Sequence, residues 1–289
     1  MKRCDALIVG GGPAGLTAGF YLSRAGFKAL LLERGRLGGK AARIPTLFNY
    51  PGFPRGITGR TLMDRMRRQA GRWGLRTARA EVRALEPRAY GWKALADGGE
   101  AYGCRAAILA TGTEFLPLKV PREKAFAGRG VHHAVFDKAR RYAGRRVGVV
   151  GGGEAAAHQA LALAKHAKKV IIFVRGRELK AIGPLREAIA GHPRIELRRN
   201  VSVRRLIGDK SLTGVELLRL SRRRLEKLDA LFVLVGQRPA LPAIREGSGR
   251  RGLFTAGDAR PGAVRHVVAA AADGLARAME CERYLRGWR

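Results

Sequence analysis

Val9-Gly10-Gly11-Gly12-Pro13-Ala14-Gly15 follows the apolar run Ala6–Val9 and opens the small-residue stretch Ala14–Ala25. Strand, glycine turn and helix in that order form a phosphate-binding opening. Glycine at 10, 12 and 15 permits a tight turn, lets a pyrophosphate approach the backbone and allows close helix packing, while the first N–H groups of the helix face the anion. A second apolar run, Ala29–Leu32, ends at Glu33, eighteen residues after Gly15, where a carboxylate accepts hydrogen bonds from ribose hydroxyls. The spacing predicts a βαβ dinucleotide unit, with Gly10, Gly12, Pro13, Ala14, Gly15 and Glu33 as cofactor-binding residues.

The pattern recurs at Val150-Gly151-Gly152-Gly153-Glu154-Ala155-Ala156, between a predicted strand Val147–Val150 and a predicted helix Ala155–His166. Gly151, Gly153, Glu154 and Ala155 are the candidate phosphate contacts. The next strand, Val170–Val174, ends in Arg175 instead of an acid. Arg175, with Arg177 and Lys180 nearby, suits a 2′-phosphate, so NADPH is the expected ligand and NADH a possible one. Two such openings predict an α/β chain of two Rossmann-like dinucleotide-binding domains, one for a flavin and one for a nicotinamide, which is the layout of an electron-transfer enzyme.

Between the two openings, apolar runs predict strands at Val82–Leu85, Trp92–Leu95 and Ala101–Leu109, the last delivering Ala110-Thr111-Gly112 at its end. Leu62–Trp73 reads as a basic amphipathic helix. Further strands are expected at Ile195–Val203, Gly214–Leu220 and Leu231–Val235, and a long helix at Ala263–Tyr284. Asp258, in Thr255-Ala-Gly257-Asp258, falls between a strand and that helix, where its carboxylate can accept a ribityl hydroxyl proton. His132, His133 and His266 are conceivable acid–base groups, but no carboxylate stands at a defined spacing from them.

The 289 residues, 46% hydrophobic and with 39 glycines, exclude a fibrous or disordered chain. No apolar run reaches the length of a membrane span, and a cytoplasmic address follows as the default expectation. Cys4, Cys104 and Cys281 lie far apart, which argues against a local dithiol, a zinc site or an iron–sulfur site. Net charge is +34, from 57 Lys and Arg against 23 Asp and Glu, and a field of that sign attracts acidic partners. The basic residues are dispersed, with short clusters at Arg140, Arg141, Arg145, Arg146 and at Arg222, Arg223, Arg224. They show neither zinc-finger spacing nor the aromatic pattern of an RNA-binding module, so no specific nucleic-acid recognition is expected.

Taken together, Gly10–Gly15, Glu33, Gly38-Gly39, Asn49-Tyr50-Pro51-Gly52, Ala110–Gly112, Gly151–Ala156, Arg175–Lys180, Gly257-Asp258 and Arg265-His266-Val267 resemble the small two-domain thioredoxin reductases and their ferredoxin–NADP reductase-like relatives. The resemblance covers nearly the whole chain. It implies a non-covalent FAD domain at 1–116 and 243–289, an NAD(P)H domain inserted at 117–242, hinges near Leu116 and Gly236, and a homodimer. It places Gly39, Asn49, Ala110, Thr111, Gly112, Gly257, Asp258, Arg265, His266 and Val267 around the flavin. Lys40 stands where the family commonly has glutamine and sets a cation near the flavin, a charge that favours its anionic reduced form.

Two departures bear on activity. Ala134 and Asp137 occupy the two positions of the family's redox-active cysteines, and a disulfide relay needs a thiolate and its resolving partner. The interval from Gly236 to Gly252 is shorter than the family's, and Trp288, near the last residue given, is a candidate short cover for an open flavin. The leading expectation is therefore an FAD-dependent NAD(P)H oxidoreductase without a catalytic nucleophile, passing electrons to an unidentified acceptor, ferredoxin or another acidic carrier. A disulfide reductase acting through an external cysteine pair and a non-catalytic nucleotide-binding sensor are the alternatives.

Overall fold

In the computed structural model, residues 2–246 and 251–287 are described, the side chains of Phe136 and Asp137 apart. The apolar run at the start becomes β1 (Lys2–Val9) and leads through the glycine turn into α1 (Pro13–Arg24) and β2 (Ala29–Glu33). Then come α2 (Gly59–Arg72), β3 (Arg76–Arg79), β4 (Val82–Arg88), β5 (Gly91–Ala96), β6 (Ala101–Leu109) and β7 (Thr113–Phe115). The next stretch holds β8 (Val131–His132), β9 (Arg146–Val150), α3 (Glu154–Ala164), β10 (Lys169–Val174), α4 (Gly183–Ala190), β11 (Ile195–Arg199), β12 (Ser202–Gly208), β13 (Leu212–Arg219), β14 (Arg222–Lys227) and β15 (Ala230–Val233). The chain ends with β16 (Gln237–Pro239), β17 (Ala243–Ile244), β18 (Leu253–Thr255) and α5 (Val267–Arg286).

The chain divides into two compact units, Met1–Glu114 with Arg238–Arg289, and Phe115–Gln237. The second is thus an insertion in the first. In the first unit the sheet order is β17-β4-β5-β6-β1-β2-β3, with β18 beside the end of β6. β1 lies parallel between β2 and β6, and burial on both faces explains its continuous apolar character. Ala6 and Ile8 face the core shared with α1 and α5, whereas Leu7 and Val9 face the core shared with β4, β5 and β6. α5 lies so close to α1 that a side chain at Gly274 would collide with the Ala14 carbonyl. α2 is capped by Thr58, whose Oγ1 accepts the Thr61 N–H at 3.1 Å, and buries Leu62, Met63 and Ala70 while its arginines stay in solvent.

The second unit is built on a parallel sheet, β11-β10-β9-β15-β8, with an antiparallel meander β12-β13-β14 beside it. Two sequence expectations change here. The run Ile195–Val203 is two strands in two sheets, because Asn200 adopts a left-handed conformation (φ 56°) and turns the chain between β11 and β12. The basic cluster at Arg222–Arg224 begins a strand, β14, whose residues are exposed apart from Glu226. Long cationic side chains solvate the open face of an antiparallel meander, so the period-2 apolar signal is absent there. Glu226 is buried between Arg146 (2.7 Å) and Arg198 (2.5 Å); burial pushes its carboxyl up, but the two arginines together outweigh that and hold it below its ordinary value.

Candidate dinucleotide sites

The glycine turn of the first unit joins β1 to α1 and meets the loop after β6. Gly10 has φ +106°, and a side chain there would strike the Ala110 carbonyl, so this position requires glycine. A side chain at Gly15 would strike the Gly10 carbonyl, which fixes the helix start tightly under the turn. Gly12, the N-cap of α1, is different, for its missing Cβ would meet nothing within 4 Å. It borders open space at a helix N-terminus, with Pro13 and Ala14 beginning the helix. Gly38 donates its N–H to the Gly11 carbonyl at 2.7 Å, and a Cβ at Gly39 would lie 3.3 Å from Gly12 Cα. The two glycine segments therefore leave a side-chain-free cradle that fits a diphosphate.

Glu33 ends β2 with both carboxylate oxygens engaged. Oε2 accepts the Gly11 N–H at 2.7 Å and Oε1 the Gly35 N–H at 2.9 Å, which pins the acid beside the turn with lone pairs left for hydroxyl donors. Beyond β6, the Thr111 hydroxyl is buried without a hydrogen-bond partner, a cost that a ligand at this place would relieve. Gly112 carries φ +65° and leads to the buried Thr113.

Three segments converge on Lys40. Its Nζ donates to Thr113 Oγ1 at 2.6 Å, and Asp258, Arg265 and Glu114 act on its charge. Burial pulls the lysine down to about 8, and the Arg265 charge adds to this, while Asp258 and Glu114 oppose it. Asp258 is pushed up by burial and drawn back by Lys40, Arg265 and His266. It is held at the start of α1 because a Cβ at Gly257 would come within 2.8 Å of Ala14 Cβ, and the Gly257 N–H is fixed by Asp273 at 2.6 Å. Asn49 Nδ2 donates to His266 Nδ1 at 3.1 Å, and His266 is the N-cap of α5, whose first residue is Val267. The structure thus brings Gly39, Lys40, Asn49, Thr111, Asp258, Arg265 and His266 to one end of the sheet. The Lys40–Thr113 bond is the part that sequence spacing does not show.

In the second unit, Gly151 (φ +148°) begins the turn after β9, and a side chain there would strike the Leu234 carbonyl and crowd Ala156 Cβ at 3.3 Å. Ala156 is accommodated because Gly151 has no side chain. Gly153 caps α3, and a Cβ on it would meet nothing within 4 Å. Glu154 is the first helical residue and Ala155 the second, both exposed. The Lys180 N–H donates to the Gly152 carbonyl at 2.6 Å, and Arg175, directly after β10, is exposed, as are Arg177 and the Lys180 side chain. Cations therefore flank an open glycine turn, an arrangement that fits a phosphorylated nucleotide.

The cysteines sit elsewhere. Cys4 and Cys104 face each other across β1 and β6, and both are free, as is Cys281. Cys4 lies five residues before the end of β1, roughly 17 Å along the strand from the glycine turn at about 3.3 Å per residue. Burial pushes the Cys4 and Cys281 thiols up to about 12 and Cys104 well above its ordinary range, so all three stay protonated. Ala134 is a buried alanine after β8, and the Asp137 side chain and Trp288 fall outside the described residues. His132 is a core group: Lys138 donates to Nδ1 at 3.2 Å and Nε2 donates to Tyr142 Oη at 2.5 Å. His133 stacks on Phe115 at 6.1 Å and stands 3.8 Å from Glu123.

Residues 4–250 match the family described as pyridine nucleotide-disulphide oxidoreductase. The chain belongs to that family. A thioredoxin reductase from Mycolicibacterium smegmatis is 33% identical over 300 residues, covering 97% of this chain and 96% of the relative. The NADPH-dependent thioredoxin reductase 3 of Arabidopsis thaliana is 32% identical over 97% of this chain, which spans 58% of that longer protein. The crystal structure of Lactococcus lactis thioredoxin reductase superposes with a TM-score of 0.90 at 25% identity, covering 98% of this chain and 99% of that one. The protein is a thioredoxin-reductase-like, FAD- and NAD(P)H-dependent oxidoreductase that lacks the redox-active cysteine pair. No helix among the described residues is long and apolar enough to cross a membrane.

Proposed function

We propose that this oxidoreductase takes reducing equivalents from NADPH and delivers them to a redox carrier with an acidic surface, such as a ferredoxin, without a protein dithiol in the path. The observation that carries this is the placement of the cysteines: the three in the sequence are protonated thiols, with Cys4 and Cys104 away from the glycine turn and Cys281 buried in α5. Positions 134 and 137 supply alanine and aspartate instead.

In this reading the first unit holds FAD and the second NADPH. The turn at Gly10–Gly15 and Gly39 receives the flavin diphosphate, and Glu33 the adenosine ribose. Asp258 and Thr111 meet the flavin side chain, and Asn49, Arg265, His266 and Val267 border its ring. Gly151, Gly153, Glu154 and Ala155 surround the nicotinamide nucleotide's diphosphate, and Arg175 with Lys180 the 2′-phosphate. The bound cofactors supply the hydride and electron chemistry, while the protein binds and orients them. The charge of +34 raises the encounter rate with an acidic carrier. The homodimer implied by the resemblance belongs to the same reading.

Two parallel assays test it. NADPH-driven reduction of a 2Fe–2S ferredoxin, falling as salt is added, supports the proposal. Thiol release from a disulfide substrate at a comparable rate, with ferredoxin untouched, overturns it.

A further inference from the structure

The segments joined by the Asn49–His266 hydrogen bond share an unusual surface. From residue 34 to residue 63 the chain carries six Lys and Arg and no carboxylate; from 259 to 272 it carries Arg260 and Arg265, again with no carboxylate. Arg260 is paired with Asp273 and Arg34 with Glu81, while Arg55 and Arg60 lie exposed on the segment that carries Asn49. Large apolar side chains project from the same two segments: Phe48 is 77% exposed and Val264 65%, and Val268 is also exposed.

These exposures are built into the backbone. Leu47 and Ile57 exchange two backbone hydrogen bonds of 2.8 and 3.1 Å, which close a loop around residues 48–56, and Leu47 itself is buried. A Cβ on Gly56 would lie 3.0 Å from the Phe48 ring, so the ring rests against bare backbone and its other side faces solvent. Val264 is held in a tight turn by the His266 N–H, which donates to its carbonyl at 2.9 Å. Exposed apolar side chains on segments rich in arginine have the composition of a protein interface.

We propose that Phe48, Val264 and Val268, with the exposed cations Arg55 and Arg60 of the Phe48 segment, form the docking face for the acidic electron carrier. This rests on the acceptor reading given above and adds where the carrier sits. The sign of the charge decides the occupant: a second copy related by a two-fold axis would bring the same cationic segments against each other, and like charges across an interface are repulsive. A carboxylate-rich carrier surface satisfies both the charge and the exposed apolar side chains. The Asn49–His266 bond puts this face beside the flavin-binding segments, where a carrier that receives electrons must approach.

The test uses the flavin-loaded full chain and two double variants outside the cofactor-binding residues, Phe48→Ser with Val264→Ser, and Arg55→Glu with Arg60→Glu. A 2Fe–2S ferredoxin is the carrier probe and a small neutral quinone the control acceptor, both driven by NADPH. Each double variant lowers kcat/KM for ferredoxin about tenfold or more, the size of losing interface anchors, and the charge variant also flattens the salt dependence; quinone reduction stays within twofold. If the parent reduces ferredoxin and neither variant changes that rate, the docking face is wrong and the acceptor reading stands. If NADPH reduces the bound flavin and the parent passes nothing to ferredoxin, the acceptor reading falls and the docking face with it. A fall in sedimenting mass of the variants assigns the face to a second copy and overturns the proposal.

Discussion

Replacing Glu33 with glutamine leaves shape intact and changes only what its two oxygens accept. In the structure each carboxylate oxygen takes one backbone N–H, from Gly11 at 2.7 Å and from Gly35 at 2.9 Å. An amide has one acceptor and one donor group, so either orientation sets an NH2 against an N–H. The Gly35 bond is exposed and adds little, whereas the Gly11 bond is partly buried and accepted by a charge, worth about 1.5 kcal/mol. That bond is made with or without a ligand and bears on folding, whereas a ribose hydroxyl donating to the same carboxylate is worth about 1.5 kcal/mol of binding, so FAD affinity falls about tenfold in Glu33→Ala and by less in Glu33→Gln. Flavin fluorescence, quenched on the protein and recovered on release, measures the dissociation constant after equilibrium dilution. Retention within twofold of the parent in both variants, with an unchanged melting curve, would refute the role assigned to Glu33.

Other groups give sharper single tests. Arg175→Ala raises KM for NADPH about tenfold, the scale of one charge-assisted bond at an exposed site, and leaves KM for NADH within twofold; equal changes for both nucleotides contradict a 2′-phosphate contact. Lys40 holds its proton less tightly than an ordinary lysine, down to about 8, so at higher pH an anionic ligand beside it must bind together with a proton. FAD affinity accordingly weakens as pH rises past 8, and the slope disappears in Lys40→Met; identical slopes in parent and variant speak against that placement. Burial first, then the Lys138 and Arg141 charges, lower His132 to about 4 from 6.5, so between these values the unfolded chain binds a proton that the folded chain does not. His132 thus contributes fully above pH 6.5, and its share, up to about 3 kcal/mol, is lost as pH falls toward 4. His132→Phe flattens the acid limb of the stability curve in urea melts, and an unaltered limb shows that the titration lies elsewhere.

Both βαβ units were legible because phosphate binding restricts the chain at fixed spacings. Gly10 and Gly15 cannot bear side chains against Ala110 and the Gly10 carbonyl, and such steric demands write themselves into sequence. Long-range partners leave no such mark. Nothing near Lys40 in sequence announces Thr113, seventy-three residues on, nor does the spacing of Cys4 and Cys104 reveal that β1 and β6 set them opposite each other. β14 was hidden because its solvent-facing arginines mask a strand behind a charge run, and the break at Asn200 depends on one backbone angle within an otherwise suitable strand. The site followed the same division: its glycines and acids could be read, but the charge balance among Lys40, Asp258 and Arg265 required the fold.

The central claim is that flavin is the sole redox centre of the protein, and counting electrons tests it directly. One FAD accepts two electrons, the content of one NADPH, and a redox-active dithiol would accept two more. In an anaerobic titration of the FAD-loaded protein followed at the flavin absorption band, complete bleaching at one equivalent of NADPH per flavin is the result this account predicts. An end point at two equivalents, with new thiols appearing in the product, would contradict it.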